Sequence, residues 1–548
     1  MATVTVNDQL VDIGNEKLNL VQVAEKAGIL VPHYCWHPAL SVVASCRMCL
    51  VEVKAVGKKP DGSPIPAPKA ILPACQTVAT DGTVFYTNSE LAKRAQADTL
   101  EGLLLNHPLD CPVCDKAGEC KLQDYSYQFG RSESRMIDPK NTPPNKPHLS
   151  EKITLFTDRC IMCSRCVRFT REVAGTAELQ IISRGHHSEI DIFPGQPLAN
   201  KLSGNVIDLC PVGALGSKDF LYKQRVWYLE ETESVCAGCS TGCSVYLDSN
   251  KDILYRIRAR YNPEAQGHFI CDEGRWGFHY VTSRSRITQA RTDGRSARSW
   301  TETIDVFQQL IEDQANPFAV YFSPFFTVEE TYLWAQYFAQ FKQASFLMGP
   351  IPIVGVDDTY PKTRKGEPAS PVLFTIRAEK APNRVGVTKV LQHFQDQFKP
   401  TEPEKSFEAI VWLGGYPDPK LIESHINQLS SSASVLVAVD LFESALTSKA
   451  KIVIPATSWS EKDGVFLNYA GLAQRVRRAT RPVPGIRSEL QLAHDLLGRR
   501  GLVQSKAIRA EIANTITDLQ QLLELETSEY GVKIPLPTIS NGQPVTLH

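Results

Sequence analysis

The sequence predicts a multidomain chain of mixed class, α+β modules in its first half and a doubly wound α/β domain in its second. Three observations lead there. At 548 residues the chain is too long for one hydrophobic core. All fifteen cysteines lie between Cys35 and Cys271, in four bunches, and none occurs in the 277 residues that follow. Beyond Cys271, short apolar β-branched runs alternate with helical segments, the pattern of a buried parallel sheet.

The elements follow in order. Residues 3 to 12 alternate as a strand, and Leu20 to Ala27 has helical spacing. A cysteine loop from Cys35 to Cys49 leads into LVEVKAV, a strand. Gly57 to Lys69, rich in proline and glycine, reads as a surface loop, and ILPACQTVATDGTVFY as a hairpin turning at Asp81-Gly82. Strands around one helix, with a cysteine loop along an edge, describe a ferredoxin-like β-grasp domain over 1–88. Its ligands are Cys35, Cys46, Cys49 and Cys75. Their first spacing, x10, is wider than the x4 of plant-type ferredoxins.

Glu90 to Leu105 is helical and delivers HPLDCPVCDKAGEC, with Cys111, Cys114 and Cys120 in a module over 89–128. This bunch has one cysteine too few, and His107 stands four residues before Cys111, in a loop stiffened by Pro108 and Pro112. With His107 counted, there are sixteen ligands in four sets of four. Lys152 to Phe156 reads as a strand before DRCIMCSRCVRFTREVAG, and GNVIDLCPVGAL closes the third set, Cys160, Cys163, Cys166 and Cys210, in a domain over 129–228. The fourth set, Cys236, Cys239, Cys243 and Cys271, sits in a small strand-rich domain over 229–285.

In the α/β region, 286–530, the expected strands are Ala319 to Phe322, SFLMG, EAIVWLGG, SVLVAVD and KIVIPAT. The expected helices are Val328 to Phe341, Pro419 to Leu429, Ser488 to Leu497 and Ile508 to Leu525. Gly349 to Arg384 reads as irregular, and 531–548 as a tail. No GxGxxG follows a strand. Gly414-Gly415 is a weak phosphate-loop candidate that a tight turn explains equally well.

Composition narrows the chemistry. Hydrophobic content of 43%, charged content of 22% and a net charge of −1 give no field of one sign for nucleic acid or anionic lipid. The longest apolar runs, such as Val435 to Val439, fall far short of a membrane span. MATVTVND has neither the basic region nor the apolar core of an export signal, so a cytoplasmic protein is expected. An odd cysteine count without an export signal argues against disulfides. Zinc is the serious alternative, because C-x2-C pairs close tetrahedral zinc sites. Three of the sets, however, contain triplets with a distant fourth ligand, which wrap an iron–sulfur cube from one loop.

With these ligands laid out, residues 1 to 280 closely resemble the large iron–sulfur subunit (the G subunit) of bacterial respiratory complex I. The motifs HPLDCPVCDKAGEC, DRCIMCSRCVRFTREVAG, GNVIDLCPVGAL, VCAGCSTGC and CDEGRWG carry the resemblance. It implies one [2Fe–2S] cluster on Cys35, Cys46, Cys49 and Cys75. It implies three [4Fe–4S] clusters: on His107 with Cys111, Cys114 and Cys120; on Cys160, Cys163, Cys166 and Cys210; and on Cys236, Cys239, Cys243 and Cys271, the last off the main route. The second half is similar to the molybdopterin oxidoreductases, through AKIVIPATSWSEKDGVFLNYAGLAQR, but is short and has no cysteine for molybdenum. A truncated, relic domain with no molybdopterin is therefore expected. The implied function is electron transfer from an NADH/FMN subunit through the clusters towards quinone, with no bond-making site in this chain. The implied partners are the other peripheral-arm subunits, and the implied place is the inner face of the cell membrane, through the complex. Alternatives are a subunit of an NAD-linked formate dehydrogenase or of a hydrogenase, or a zinc-organised scaffold.

Overall fold

The computed structural model describes residues 2–297, 299–394, 396–399 and 407–536. The chain forms two compact units, 1–228 with 361–370 and 229–360 with 371–548. Among the described residues no helix is long and apolar enough to cross a membrane.

In the first unit, Ala2–Val6 (β1) and Gln9–Gly14 (β2) pair antiparallel. The expected single strand over residues 3 to 12 is thus a hairpin. Asn7 and Asp8 turn it at φ 47° and 66°, a left-handed pair that Asn and Asp tolerate better than other side-chain-bearing residues. Helix α1, Leu20–Lys26, starts at a capping box between Asn19 and Gln22 and buries Leu20, Val21, Val23 and Ala24 against the sheet. Leu50–Lys58 (β3), Pro64–Pro66 (β4), Ile71–Pro73 (β5) and Thr83–Tyr86 (β6) complete a sheet of order β2-β1-β6-β3-β4, with β5 also on β3.

Two expectations need correction here. The loop over Gly57 to Lys69 contains edge strand β4, whose prolines suit a position with no further neighbour. The expected hairpin turning at Asp81-Gly82 is absent, because β5 and β6 each pair with β3 instead. Glu90–Leu104 (α2) and Lys121–Phe129 (α3) flank the second cysteine bunch. Ile153–Leu155 (β7), Arg165–Glu172 (α4), Leu179–Ile182 (β8), Glu189–Ile192 (β9), Asn205–Leu209 (α5) and Leu215–Ser217 (β10) follow. The β7–β10 pairing brings together the chain that leads into Cys160 and the chain that leaves Cys210.

The second unit opens with a three-stranded antiparallel sheet, Glu230–Val235 (β11), Ser244–Asn250 (β12) and Ile253–Ala259 (β13), and a short helix, Asp272–Trp276 (α6). Arg291–Thr292 (β14), Arg295–Ser296 (β15) and Trp300–Glu312 (α7) lead to Phe318–Phe322 (β16). Val328–Phe338 (α8), Ala344–Met348 (β17), Asp358–Tyr360 (β18), Phe374–Ile376 (β19) and Arg384–His393 (α9) come next. Ala409–Leu413 (β20), Glu423–Ser432 (α10), Ser434–Asp440 (β21), Ala445–Lys449 (α11) and Ile452–Pro455 (β22) close the main sheet. Strands β17, β16, β20, β21 and β22 are parallel in that order, and β14 and β15 extend the sheet antiparallel beyond β22.

Alternate residues of these strands enter opposite cores. Val320, Val411, Val437 and Ile454 pack with α8 and α9, whereas Ala319, Ile410, Trp412 and Ala438 pack with α10 and α11. Both faces are covered, so the domain is doubly wound. The stretch expected to be irregular, Gly349 to Arg384, contains the β18–β19 hairpin. Gly464–Leu467 (β23), Leu472–Val476 (β24), Glu489–Leu496 (α12) and Ser505–Thr515 (α13) follow, and the helix expected to run to Leu525 becomes a 3₁₀ segment from Thr517. Val532–Lys533 (β25) joins the expected tail to β24, and residues 537–548 lie outside the described residues.

A buried layer of charge joins α8, α12 and α13 to one another and to the segment that follows β22. Thr327 and Glu330 form a capping box at the start of α8, and Lys462 bridges Glu330 at 3.2 Å and Glu489 at 3.0 Å. Arg286 grips both oxygens of Glu461 at 2.8 Å, and Arg509 meets Glu329 at 3.1 Å. Burial raises the Glu330 carboxyl to about 7.

Candidate metal centres

Each cysteine set sits on a loop bent by left-handed residues. Ala44 (φ 50°) and Arg47 (φ 59°) flank Cys46, and Met162 (φ 52°) and Ser164 (φ 58°) flank Cys163. Gly118 (φ 91°) and Gly242 (φ 65°) play the same part before Cys120 and Cys243. Side-chain-bearing residues rarely adopt this conformation, and it concentrates where a loop must present groups inward. Backbone N–H groups accordingly reach sulfur: Cys35 N donates to Cys46 Sγ (3.5 Å), Met162 N to Cys160 Sγ (3.4 Å), Gly238 N to Cys236 Sγ (3.4 Å) and Gly274 N to Cys271 Sγ (3.3 Å). Such donors stabilise thiolate charge on a cluster.

The four thiols of the first set share hydrogen bonds. Those from Cys46 and Cys75 hold Cys35 far below the usual thiol range, and the bond from Cys75 holds Cys49 down. The same bonds push Cys46 and Cys75 far up. In the third set burial, then the charge of Cys210, pushes Cys160 to about 12 and Cys163 to about 11, and burial pushes Cys166 well above the ordinary thiol value. In the fourth, burial pushes Cys236 to about 12 and also raises Cys243 and Cys271. These six thiols thus sit in two buried places where protons are costly to remove, unless a cation replaces them. That donor chemistry fits iron–sulfur clusters.

In the second set burial raises Cys114 and Cys120; Cys114 lies within electrostatic reach of Cys111, and Cys120 of Cys114, and Cys111 itself is exposed. His107 follows α2, and its Nδ1 is buried with no hydrogen-bond partner. Burial, then the Arg159 guanidinium, holds the ring down to about 4, so it is neutral, as a metal ligand must be. Gly213, three residues past Cys210, closes the third set against the second: a Cβ there would stand 2.1 Å from Cys114 Sγ.

Among the described residues no three His, Cys, Asp or Glu side chains converge as they would on a single ion.

Three buried arginines escaped the sequence reading. Arg159 lies 4.1 Å over the Phe156 ring and bonds Asp110 at 2.7 Å; Arg165 and Arg168 reach backbone carbonyls beside cysteines. Their signal was present, since DRCIMCSRCVRFTREV interleaves cysteines with arginines.

The fourth set is fastened to the α/β domain. Thr241 Oγ1 donates to Thr375 O (2.6 Å), Asn468 Nδ2 to Thr241 O (2.9 Å), Gln474 Nε2 to Gly242 O (2.6 Å) and Trp459 Nε1 to Val235 O (2.9 Å). Beside it a cavity of about 330 Å³ opens at the C-terminal ends of β16 and β20, where the strand order reverses. Phe325, Tyr416, Trp459, Phe278 and Lys380 line it, with Cys236 of the fourth set. The Gly414-Gly415 pair at its edge is a tight turn: Gly415 has φ 85°, and its N–H is taken by the buried Asp440 carboxylate at 3.0 Å.

Five family models match. They are the 2Fe-2S iron-sulfur cluster binding domain (1–90), the NADH-ubiquinone oxidoreductase-G iron-sulfur binding region (96–135) and the NADH-quinone oxidoreductase subunit 3 ferredoxin-like domain (150–216). The molybdopterin oxidoreductase Fe4S4 domain (229–283) and molybdopterin oxidoreductase (383–499) follow. A G subunit of NADH-quinone oxidoreductase from Rhizobium meliloti, the second of that name, is 37% identical over 57% of this chain and 35% of its own length. The G subunit of the same enzyme from Streptomyces coelicolor is 34% identical over 62% and 39%. The mitochondrial NADH dehydrogenase [ubiquinone] iron-sulfur protein 1 of Solanum tuberosum is 37% identical over 54% and 38%. The matches therefore span less than half the length of these relatives. An NAD+-reducing [NiFe]-hydrogenase structure overlaps 41% of this chain and 91% of its own, at 27% identity and a TM-score of 0.35.

Proposed function

We propose that this chain, a relative of the G subunits of NADH-quinone oxidoreductase with the same order of iron–sulfur modules, is the electron-transfer subunit of such a complex. It takes electrons from an NADH/FMN subunit and passes them towards quinone. The observation that carries this reading is the set of three cysteine loops, sets one to three, packed against one another in one unit. Bound clusters would supply one-electron transfer. The chain's own residues hold the thiolates, aim N–H donors at sulfur and exclude water; no bond of a substrate is made or broken here. The ligands would be Cys35, Cys46, Cys49 and Cys75 for [2Fe–2S], and His107, Cys111, Cys114 and Cys120 for a [4Fe–4S]. Cys160, Cys163, Cys166 and Cys210, and then Cys236, Cys239, Cys243 and Cys271, would hold two more.

Exposed Cys111 opens on a surface hollow lined by Pro112, Tyr127 and Trp227, with Leu109 exposed nearby, and this apolar ground suits a partner subunit of the peripheral arm. Docking there would hold the chain at the inner face of the membrane. The α/β half serves as scaffold without molybdopterin.

Metal analysis of the anaerobically purified complex tests the reading. About fourteen iron atoms per chain with a rhombic two-iron EPR signal are expected, from one two-iron and three four-iron clusters. Zinc in their place overturns it. Stoichiometric molybdenum or tungsten would make the cavity a catalytic site, as in a formate dehydrogenase.

His107→Cys should keep a four-iron cluster and lower its potential, because the added thiolate charge opposes the incoming electron. An unchanged redox titration means that His107 is not a ligand.

A further inference from the structure

Arg165 and Arg168 are among the most deeply buried charges of the first unit, 5% and 3% exposed. Burying a guanidinium costs several kcal/mol unless an anion faces it. Among the described residues no carboxylate stands within ion-pair distance of either, and their hydrogen bonds go to neutral groups. Arg165 donates to Trp36 O and, at 3.3 Å, to Leu209 O, and its Nε is buried with no acceptor. Arg168 donates to Cys35 O, to Ser41 O and, at 3.4 Å, to Cys163 O and Ser164 Oγ.

The acceptors fall into two groups. Trp36, Cys35 and Ser41 belong to the loop of the first cysteine set. Leu209 precedes Cys210, and Cys163 is itself a member of the third. Each guanidinium therefore spans both sets, and the anionic groups left to face the two cations are the thiolates of Cys35, Cys163 and Cys210.

We propose that Arg165 and Arg168 form one shared cationic bridge between the first and third centres, fastening their loops at a fixed separation and holding the reduction potentials of both up together. This rests on the reading that both sets carry iron–sulfur clusters. Reduction adds one negative charge to a cluster, so a fixed cation beside it favours the reduced form. A cation placed between two clusters favours reduction of either and softens the repulsion between them when both are reduced. They are positioning residues, not ligands, and α4, which carries both, holds them one helical turn apart on the same face.

The test is a redox titration followed by low-temperature EPR on the purified complex, with iron content measured alongside. The variants are Arg165→Gln, Arg168→Gln, Arg165→Lys and Arg168→Lys. Iron absent from the wild-type complex overturns the cluster reading itself and not the bridge alone. With iron present, each Gln variant should lower the two-iron and third-set signals together. The expected shift is about tenfold in the reduction equilibrium, about 59 mV for a one-electron centre. The fourth-set signal should stay in place, and the Lys variants should remain close to wild type. Potentials unmoved in the Gln variants, movement of one signal without the other, or Lys behaving as Gln would overturn the bridge. Should a Gln variant lose iron, the Lys variant decides. Retention of both clusters with Lys supports the need for charge, and loss with Lys as well reduces the arginines to loop clamps and overturns the proposal.

Discussion

Under the proposed function, Cys163→Ala should remove about four iron atoms per chain and bring NADH:quinone turnover of the complex to background. Cys163 sits between two left-handed residues, Met162 and Ser164, on the loop whose carbonyl Arg168 ties to Cys35. On its other side the same set meets the second through Gly213 and Cys114. The third set therefore touches both neighbours, and because electron tunnelling falls steeply with distance, an empty centre there interrupts the route. Cys243→Ala is the matched control: it also removes a four-iron cluster, but one built into the α/β unit, and should weaken stability and assembly more than turnover. Iron content, EPR and turnover of the assembled complex check both. Substantial turnover in Cys163→Ala lacking that cluster would remove the third set from the route, and lost turnover in fully assembled Cys243→Ala would put the fourth on it.

Lys462→Met should destabilise the α/β domain by about 3–5 kcal/mol, the range for breaking a buried ion pair by removing one partner. Among the described residues Lys462 is the one cation between Glu330 and Glu489, and Thr457 and the α8 cap donate only neutral hydrogen bonds to that pair. The pH dependence follows from Glu330. Its carboxyl is raised by burial to about 7, above the unfolded value near 4.3, so the folded state binds the extra proton. The stabilisation is fully present below the unfolded value and is lost as pH rises towards about 7. Stability of this layer should therefore fall between roughly pH 4.5 and 7, and Lys462→Met should deepen that fall by removing the charge that holds the Glu330 carboxyl down. Hydrogen exchange of α8 and β23, corrected for intrinsic rates, reads both effects. A flat profile in wild type would mean that Glu330 stays ionised in the fold.

Much of this was legible in the sequence for a simple physical reason. Ligand sets and buried parallel strands are local patterns, and Val435 to Val439 needs no partner to declare itself a central strand. What stayed hidden depends on contacts between distant segments. Ile71–Pro73 and Thr83–Tyr86 look like two arms of a hairpin, yet both choose β3. The prolines of Pro64–Pro66 signal a loop but are tolerated on an edge. Asn7-Asp8, by contrast, was a local turn signal inside an alternating run, and the alternation masked it. The arginines of α4 carry no visible meaning until their acceptors, more than a hundred residues upstream in the first cysteine loop, are known.

The hydrogen bonds that fasten the Cys236–Cys243 loop also set an order in time. Thr241 waits for Thr375, 134 residues on, and Asn468 and Gln474 arrive 227 and 232 residues after the groups they hold. A ribosome delivers the chain from its N-terminus at a few residues to a few tens per second. The first three loops can thus be shaped, and receive their metal, while the α/β domain is still being synthesised. The fourth cannot close until Asn468 and Gln474 have emerged, so any loading of that centre follows synthesis of the main sheet of the α/β domain.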